Sequence, residues 1–182
     1  MLGPRYLRDE RILIRLALAI ALIVGILTLI LRHTMGEKQE QISPEQVWSY
    51  IQKQAPPRGL DPEFVYALAW AESGLNARAS SSVARGMMQL TRQAWAEVSD
   101  EPYRHAWDWK TNIRVSIEYL VFCRDYLNQN DRFSYPLLAA SYRYGPYYVA
   151  SKSFNLAQVK PAKNEIYRRL FNGNIRPVPP PY

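Results

Sequence analysis

The sequence holds one cysteine, Cys123, and two histidines, His33 and His105. A single thiol excludes an intramolecular disulfide. No pair of Cys or His has metal-ligand spacing, so neither a metal nor another cofactor is expected. Nothing in the sequence places a histidine beside Cys123. Its neighbours, Tyr119 to Phe122, read as helix, which makes it a buried structural thiol. Basic runs and nucleic-acid motifs are also missing, and the Lys and Arg residues are scattered. A nucleic-acid partner is therefore not expected, despite a net charge of +7 and a pI near 9.6. The positive excess suits an anionic polymer or a membrane surface. There are no internal repeats, and strand-like alternation is scarce. The expected fold class is all-α.

Long uncharged runs are rare, with one exception. Leu16 to Leu31 carries no charge. Extended back to Ile12, with Arg15 reaching toward headgroups, it approaches the roughly 20 residues of a spanning helix. A cleaved signal peptide is the other reading. The length of the run and the absence of a small-residue cleavage site in Arg32-His33-Thr34-Met35 favour an uncleaved signal anchor. Arg5, Arg8, Arg11 and Arg15 precede or enter the run and only Arg32 closely follows it. This bias puts the N-terminus in the cytoplasm and the rest outside it. The resulting division is a short cytoplasmic N-terminus at 1–11, a transmembrane anchor at 12–32, a tether at 33–42, a helical domain at 43–172 and a Pro-rich tail at 173–182.

Within the domain, Ser43-Pro44-Glu45-Gln46 is a helix start with a capping-box Gln. Asp61-Pro62 is a second start, with Gly74 placed to close that helix. Phe64, Leu68 and Glu72 then share one face. A carboxyl thus ends an apolar stripe near a helix C-terminus, and both surroundings favour its protonated form. A carboxyl kept protonated near neutral pH is what a general acid requires. Periodicity alone fits a solvated surface Glu as well. Further on, Gly86 opens an apolar segment through Trp95, in which Gln89 needs partners if buried. Asn112 to Leu127 reads as a long amphipathic helix and Pro136 to Tyr144 as another. Asn164 to Phe171 is the last. Asp108 and Glu118 read as surface charges. The tail Arg176-Pro177-Val178-Pro179-Pro180-Pro181-Tyr182 reads as a free, extended end or a partner-binding segment.

Glu72-Ser73, then Ser81 and Gly86-Met87-Met88-Gln89, resembles the Glu-Ser and Gly-Leu-Met-Gln motifs of lytic transglycosylases with a soluble-type, lysozyme-like catalytic domain. Asn112-Ile113 with Tyr119-Leu120 resembles that family's Asn-Ile…Tyr-Leu helix. Ala140-Ser141-Tyr142-Arg143-Tyr144-Gly145-Pro146 resembles its Tyr-Asn-Ala-Gly-Pro segment. The blocks occur in family order across roughly residues 44–170. Arg143 and Tyr144 depart from it, standing where the family has Asn and Ala.

The resemblance implies a lysozyme-like domain that cleaves the β-1,4 bond between N-acetylmuramic acid and N-acetylglucosamine in peptidoglycan, with a 1,6-anhydro product. It makes Glu72 the acid and base. Ser73, Ser81, Met88, Gln89, Tyr142, Arg143 and, in looser alignment, Tyr167 become substrate-binding candidates. Tyr142 could instead be a core ring with its hydroxyl on a carbonyl. Arg143 could reach a carboxylate of the wall or point to solvent. The four tyrosines 142, 144, 147 and 148 offer sugar-stacking surfaces or core packing. The motif-bearing segments offer no second carboxylate. With the anchor, these readings locate the domain in the periplasm, with glycan strands, the cytoplasmic membrane and envelope proteins as candidate partners. The runners-up are a catalytically silent glycan binder in an envelope machine and a hydrolase of the same fold.

Overall fold

A computed structural model describes residues 18–27 and 42–181. Residues 18–27 are helical, with exposed apolar side chains such as Leu18 and Leu22. Among the described residues no helix is long and apolar enough to cross a membrane. The ends of the expected anchor, 12–17 and 28–32, and nearly all of the tether lie outside them.

Residues 42 onward form a second unit. Its helices are α1 (Pro44–Gln54), α2 (Pro62–Ser73), α3 (Arg92–Val98), α4 (Trp109–Gln129), α5 (Tyr135–Tyr144), α6 (Pro146–Ser151) and α7 (Glu165–Phe171). Their ends are written locally. Ser43 and Gln46 close a reciprocal capping box on α1. The Asp61 carboxylate accepts from the N–H groups of Glu63 and Phe64, and Pro62 opens α2. Gly74 ends α2 at φ 62°, a left-handed conformation that costs glycine little. The cap of α5 is Ser134, which puts Pro136 at the second helical position rather than the first. Asp108 caps α4 by accepting from the Thr111 N–H, and Glu118 pairs with Arg58. Both acids therefore have local structural partners.

The long α4 is the axis of the domain. It packs on α1, α3, α5 and α6, while α2 packs on α1 and α7. Ile113, Ile117, Leu120 and Leu127 of α4 are fully buried with Phe64 and Leu68 of α2. Cys123 lies in this core as a free thiol, and burial pushes its pKa up to about 12.

Two expectations need correction. The fold is mostly helical but not all-α: Ala84–Arg85 (β1) and Leu90–Thr91 (β2) pair as a small antiparallel hairpin. The apolar run from Gly86 holds its turn, and only Arg92 onward is helix. The described part of the tail is not free. Ile175 and Val178 pack on the core, Pro180 is buried, and Arg176 bonds Asp61 at 2.7 Å.

Candidate active site

The hairpin turn is fixed by three side chains from three helices. Ser73 at the end of α2 donates its hydroxyl to the Met87 carbonyl at 2.6 Å. Asn112 of α4 accepts from the Met88 N–H at 2.8 Å and donates to the Arg85 carbonyl. Tyr142 of α5 donates to the Met88 carbonyl at 2.8 Å. Gly86 sits at φ 80°, and a Cβ there would lie 2.3 Å from the Ala106 carbonyl and 2.4 Å from the Asn112 amide nitrogen. No other residue fits that approach without displacing Asn112. Gln89, at φ 47°, satisfies the donor side of its partly buried amide: its Nε2 donates to the carbonyls of Ala79 and Gly86.

Beside this turn runs a groove of about 720 Å³ with Glu72 in its wall. The Glu72 side chain is only 4% exposed. Its Oε1 accepts from the Tyr167 hydroxyl at 2.5 Å, and its Oε2 accepts from Arg143 Nη1 at 2.8 Å. The Arg143 guanidinium also lies 5.4 Å from the centroid of the Tyr167 ring. Burial raises the Glu72 pKa above the usual carboxylate range. Arg143 and Tyr167 oppose that rise without cancelling it. The buried Tyr142 and Tyr167 phenols are both held well above their ordinary range, first by burial and then by the Glu72 charge. Both remain neutral hydrogen-bond donors.

The structure separates the sequence candidates into two groups. Glu72, Ser81, Gln89, Tyr142 and Arg143 line the groove, as do Tyr144, Tyr147 and Tyr148. Ser73, Met88 and Tyr167 do not. Ser73 ties α2 to the turn, the Met88 side chain is fully buried in the core, and Tyr167 reaches Glu72 from within the protein. Tyr142 has the core ring and carbonyl-bound hydroxyl of its structural reading, and the residue also lines the groove.

Sequence reasoning missed Asn164 and Glu97. Asn164 caps α7 and donates to the Ala71 carbonyl of α2, which brings Tyr167 to Glu72. Its position just before an acidic first turn was the available signal. Glu97, an exposed second carboxylate on the groove, lies outside the motif segments. Its spacing from Gln93 and Ala94, which also line the groove, puts all three on one face of α3. Among the described residues no group of three or more His, Cys, Asp or Glu could hold a metal ion.

A mostly helical domain with one buried carboxyl in the wall of an open groove defines a lysozyme-like class. The chain belongs to the transglycosylase SLT domain family, whose model matches residues 49–165. An inactive mutant of the lytic transglycosylase Slt from Pseudomonas aeruginosa has a similar solved structure, with a TM-score of 0.53 and 20% sequence identity. The match covers 79% of this chain but 24% of that one, so this chain spans about a quarter of its length. At that identity the likeness is one of fold. A comparison with curated proteins finds no match.

Proposed function

We propose that this chain is a peptidoglycan lytic transglycosylase with Glu72 as its only acid and base. The observation that carries this reading is a carboxyl 4% exposed in the groove wall of an SLT domain, with its pKa raised by burial. Protonated Glu72 gives its proton to the glycosidic oxygen between the muramyl and glucosaminyl residues. The glucosaminyl side leaves as an alcohol. The muramyl acetamido group stabilises the positive anomeric carbon, an arrangement known for substrate-assisted glycosidases. The muramyl C6 hydroxyl then attacks C1 and returns its proton to Glu72. A 1,6-anhydro ring forms and no water is consumed. An internal nucleophile gains a large effective concentration over a loosely held water.

Glu97 supports a second reading, hydrolysis, because a second carboxylate could activate a water in the groove. The product distinguishes the two. Digests of purified sacculi should contain anhydromuramyl ends, lighter by one water than their hydrolysed counterparts by mass spectrometry. Reducing muramyl ends in their place would assign hydrolysis. Glu72→Gln should lower wall-degrading activity by roughly a hundredfold to ten-thousandfold while remaining folded. Activity close to wild type would remove Glu72 from the reaction.

Residues 12–32 serve in this reading as a membrane anchor, with the domain on the periplasmic side. The uncharged run and the arginine bias before it support that topology. Protease added to intact spheroplasts should digest the domain. Protection until lysis would reverse the orientation.

A further inference from the structure

The two oxygens of Glu72 are not equivalent. Tyr167, which bonds Oε1, is fully buried and does not line the groove. Arg143, which bonds Oε2, lines the groove with its side chain 45% exposed. The oxygen on the groove side is therefore the one covered by a cation. A guanidinium only donates hydrogen bonds. While Arg143 is in place its N–H occupies Oε2 and its charge disfavours a proton there, so a proton on Glu72 is favoured on Oε1, against a phenol in the protein interior. The observed arrangement holds the acid in a form unsuited to delivering a proton into the groove.

We propose that Arg143 is a substrate-displaced cap on Glu72: a carboxylate carried by the entering glycan strand draws the guanidinium away and frees Oε2 to take up a proton. This rests on Glu72 being the acid.

The partners of the ion pair differ in their freedom to move. Glu72 is buried at the end of a rigid helix. Arg143 is half exposed, near the C-terminus of α5 and two residues before Gly145. Arg143 itself is 45% exposed and keeps part of its guanidinium in water, so exchanging one carboxylate for another costs Arg143 little. For Glu72 the exchange is not symmetric. Without Arg143 the titratable groups that face it among the described residues are neutral: Tyr142 and Tyr144 from α5 and Tyr167 from α7. Desolvation, already the largest influence on it, then acts with less opposition. A proton from solvent goes onto Oε2, passes to the glycosidic oxygen, and is replaced from the muramyl C6 hydroxyl. Muramyl residues with peptide stems carry the carboxylates required. Among the described residues the only other acid on the groove wall is Glu97, which is fixed to the protein and repels such groups rather than replacing them.

Arg143 is thus a positioning residue that links release of the acid to the charge of the substrate. The test compares native sacculi with sacculi whose carboxyl groups have been amidated with carbodiimide and methylamine. Wild type, Arg143→Asn, Arg143→Lys and Glu72→Gln are assayed on both by release of soluble muropeptides. Wild type should prefer the native substrate by about tenfold or more, the size of one charge-assisted hydrogen bond. Arg143→Asn should cleave both alike, and Arg143→Lys should recover the preference. Removing the cation also raises the Glu72 pKa, so the alkaline limb of kcat/KM should lie at higher pH in Arg143→Asn than in wild type. A merely structural role for Arg143 leaves the preference for native over amidated sacculi unmoved.

Equal native-to-amidated ratios in wild type and Arg143→Asn would overturn the proposal. So would indifference of wild type to amidation, which needs no variant to fold. A wild type inactive on native sacculi, or an active Glu72→Gln, would instead overturn the catalytic reading and the cap with it.

Discussion

Glu72 stands at the meeting point of two opposed requirements. An acid needs a raised pKa, and burial supplies it at the expense of stability whenever the group is ionised. The sign follows from linkage. A carboxyl whose folded pKa exceeds its unfolded value binds more protons in the native state, so its contribution is full at low pH. It is lost as pH rises from the ordinary carboxylate range through the folded value. Glu72→Gln keeps the shape and removes the charge. It should melt at a higher temperature than wild type at neutral pH, and the two melting curves should converge on acidification. Asp61 and Glu101 have lowered pKa values, Glu101 chiefly through its bond from Arg114. Their acid-side loss of stability is common to both proteins and cancels in the comparison. A gap that persists unchanged at acid pH would mean that ionisation of Glu72 is not the cause.

At the scale of elements, the hairpin turn from Gly86 to Gln89 holds the site together. It is short and would have little stability alone. Ser73, Asn112 and Tyr142 bind its peptide groups from three helices. Asn112 is fully buried, and its removal leaves the Met88 N–H and the Arg85 carbonyl without these partners. Asn112→Ala should cost roughly 1–3 kcal/mol for each group left unpaired. Gly86→Ala combines a left-handed backbone with a clash against backbone and a buried amide, and should cost roughly 2–5 kcal/mol. Urea unfolding measures both. A Gly86→Ala protein within about 0.5 kcal/mol of wild type, the range of ordinary surface changes, would show that the turn can relax.

Across the whole domain, the tail closes the structure on the side where α2 begins. Arg176 bonds Asp61, the residue that caps α2, so the start of the Glu72 helix is tied to the far end of the chain. Ending the chain after Gly173 removes this bond together with the packing of Ile175 and Val178. From the apolar area lost, stability should fall by about 2–4 kcal/mol. Arg176→Ala alone should cost about 1 kcal/mol or less, because the Arg176 end of the pair is exposed to water. An unchanged thermal midpoint in the truncated chain would return the tail to the free end that its composition suggests.

Much of this architecture was legible in order along the chain. Caps and stops are local chemistry: Ser43 and Gln46, Asp61 and Pro62, and Gly74 each act within a few residues of themselves. The stripe of Phe64, Leu68 and Glu72 is likewise a local property of helical pitch, and it marked the carboxyl that becomes buried. The hairpin was missed because its strands are two residues long and carry no alternation; its turn is held by Ser73, Asn112 and Tyr142, which lie 14, 24 and 54 residues from the groups they bind. The tail was misread because Pro-rich composition describes a chain with nothing to bind, whereas Asp61 and the core surface were there to receive it. Arg143 illustrates the same division. Sequence identified it as a departure from the family pattern, but its partner lies 71 residues away. Periodicity and capping act over a few residues and are therefore determined by sequence alone. Which charge covers a buried acid depends on helices α2, α5 and α7 meeting, and only the tertiary structure decides that.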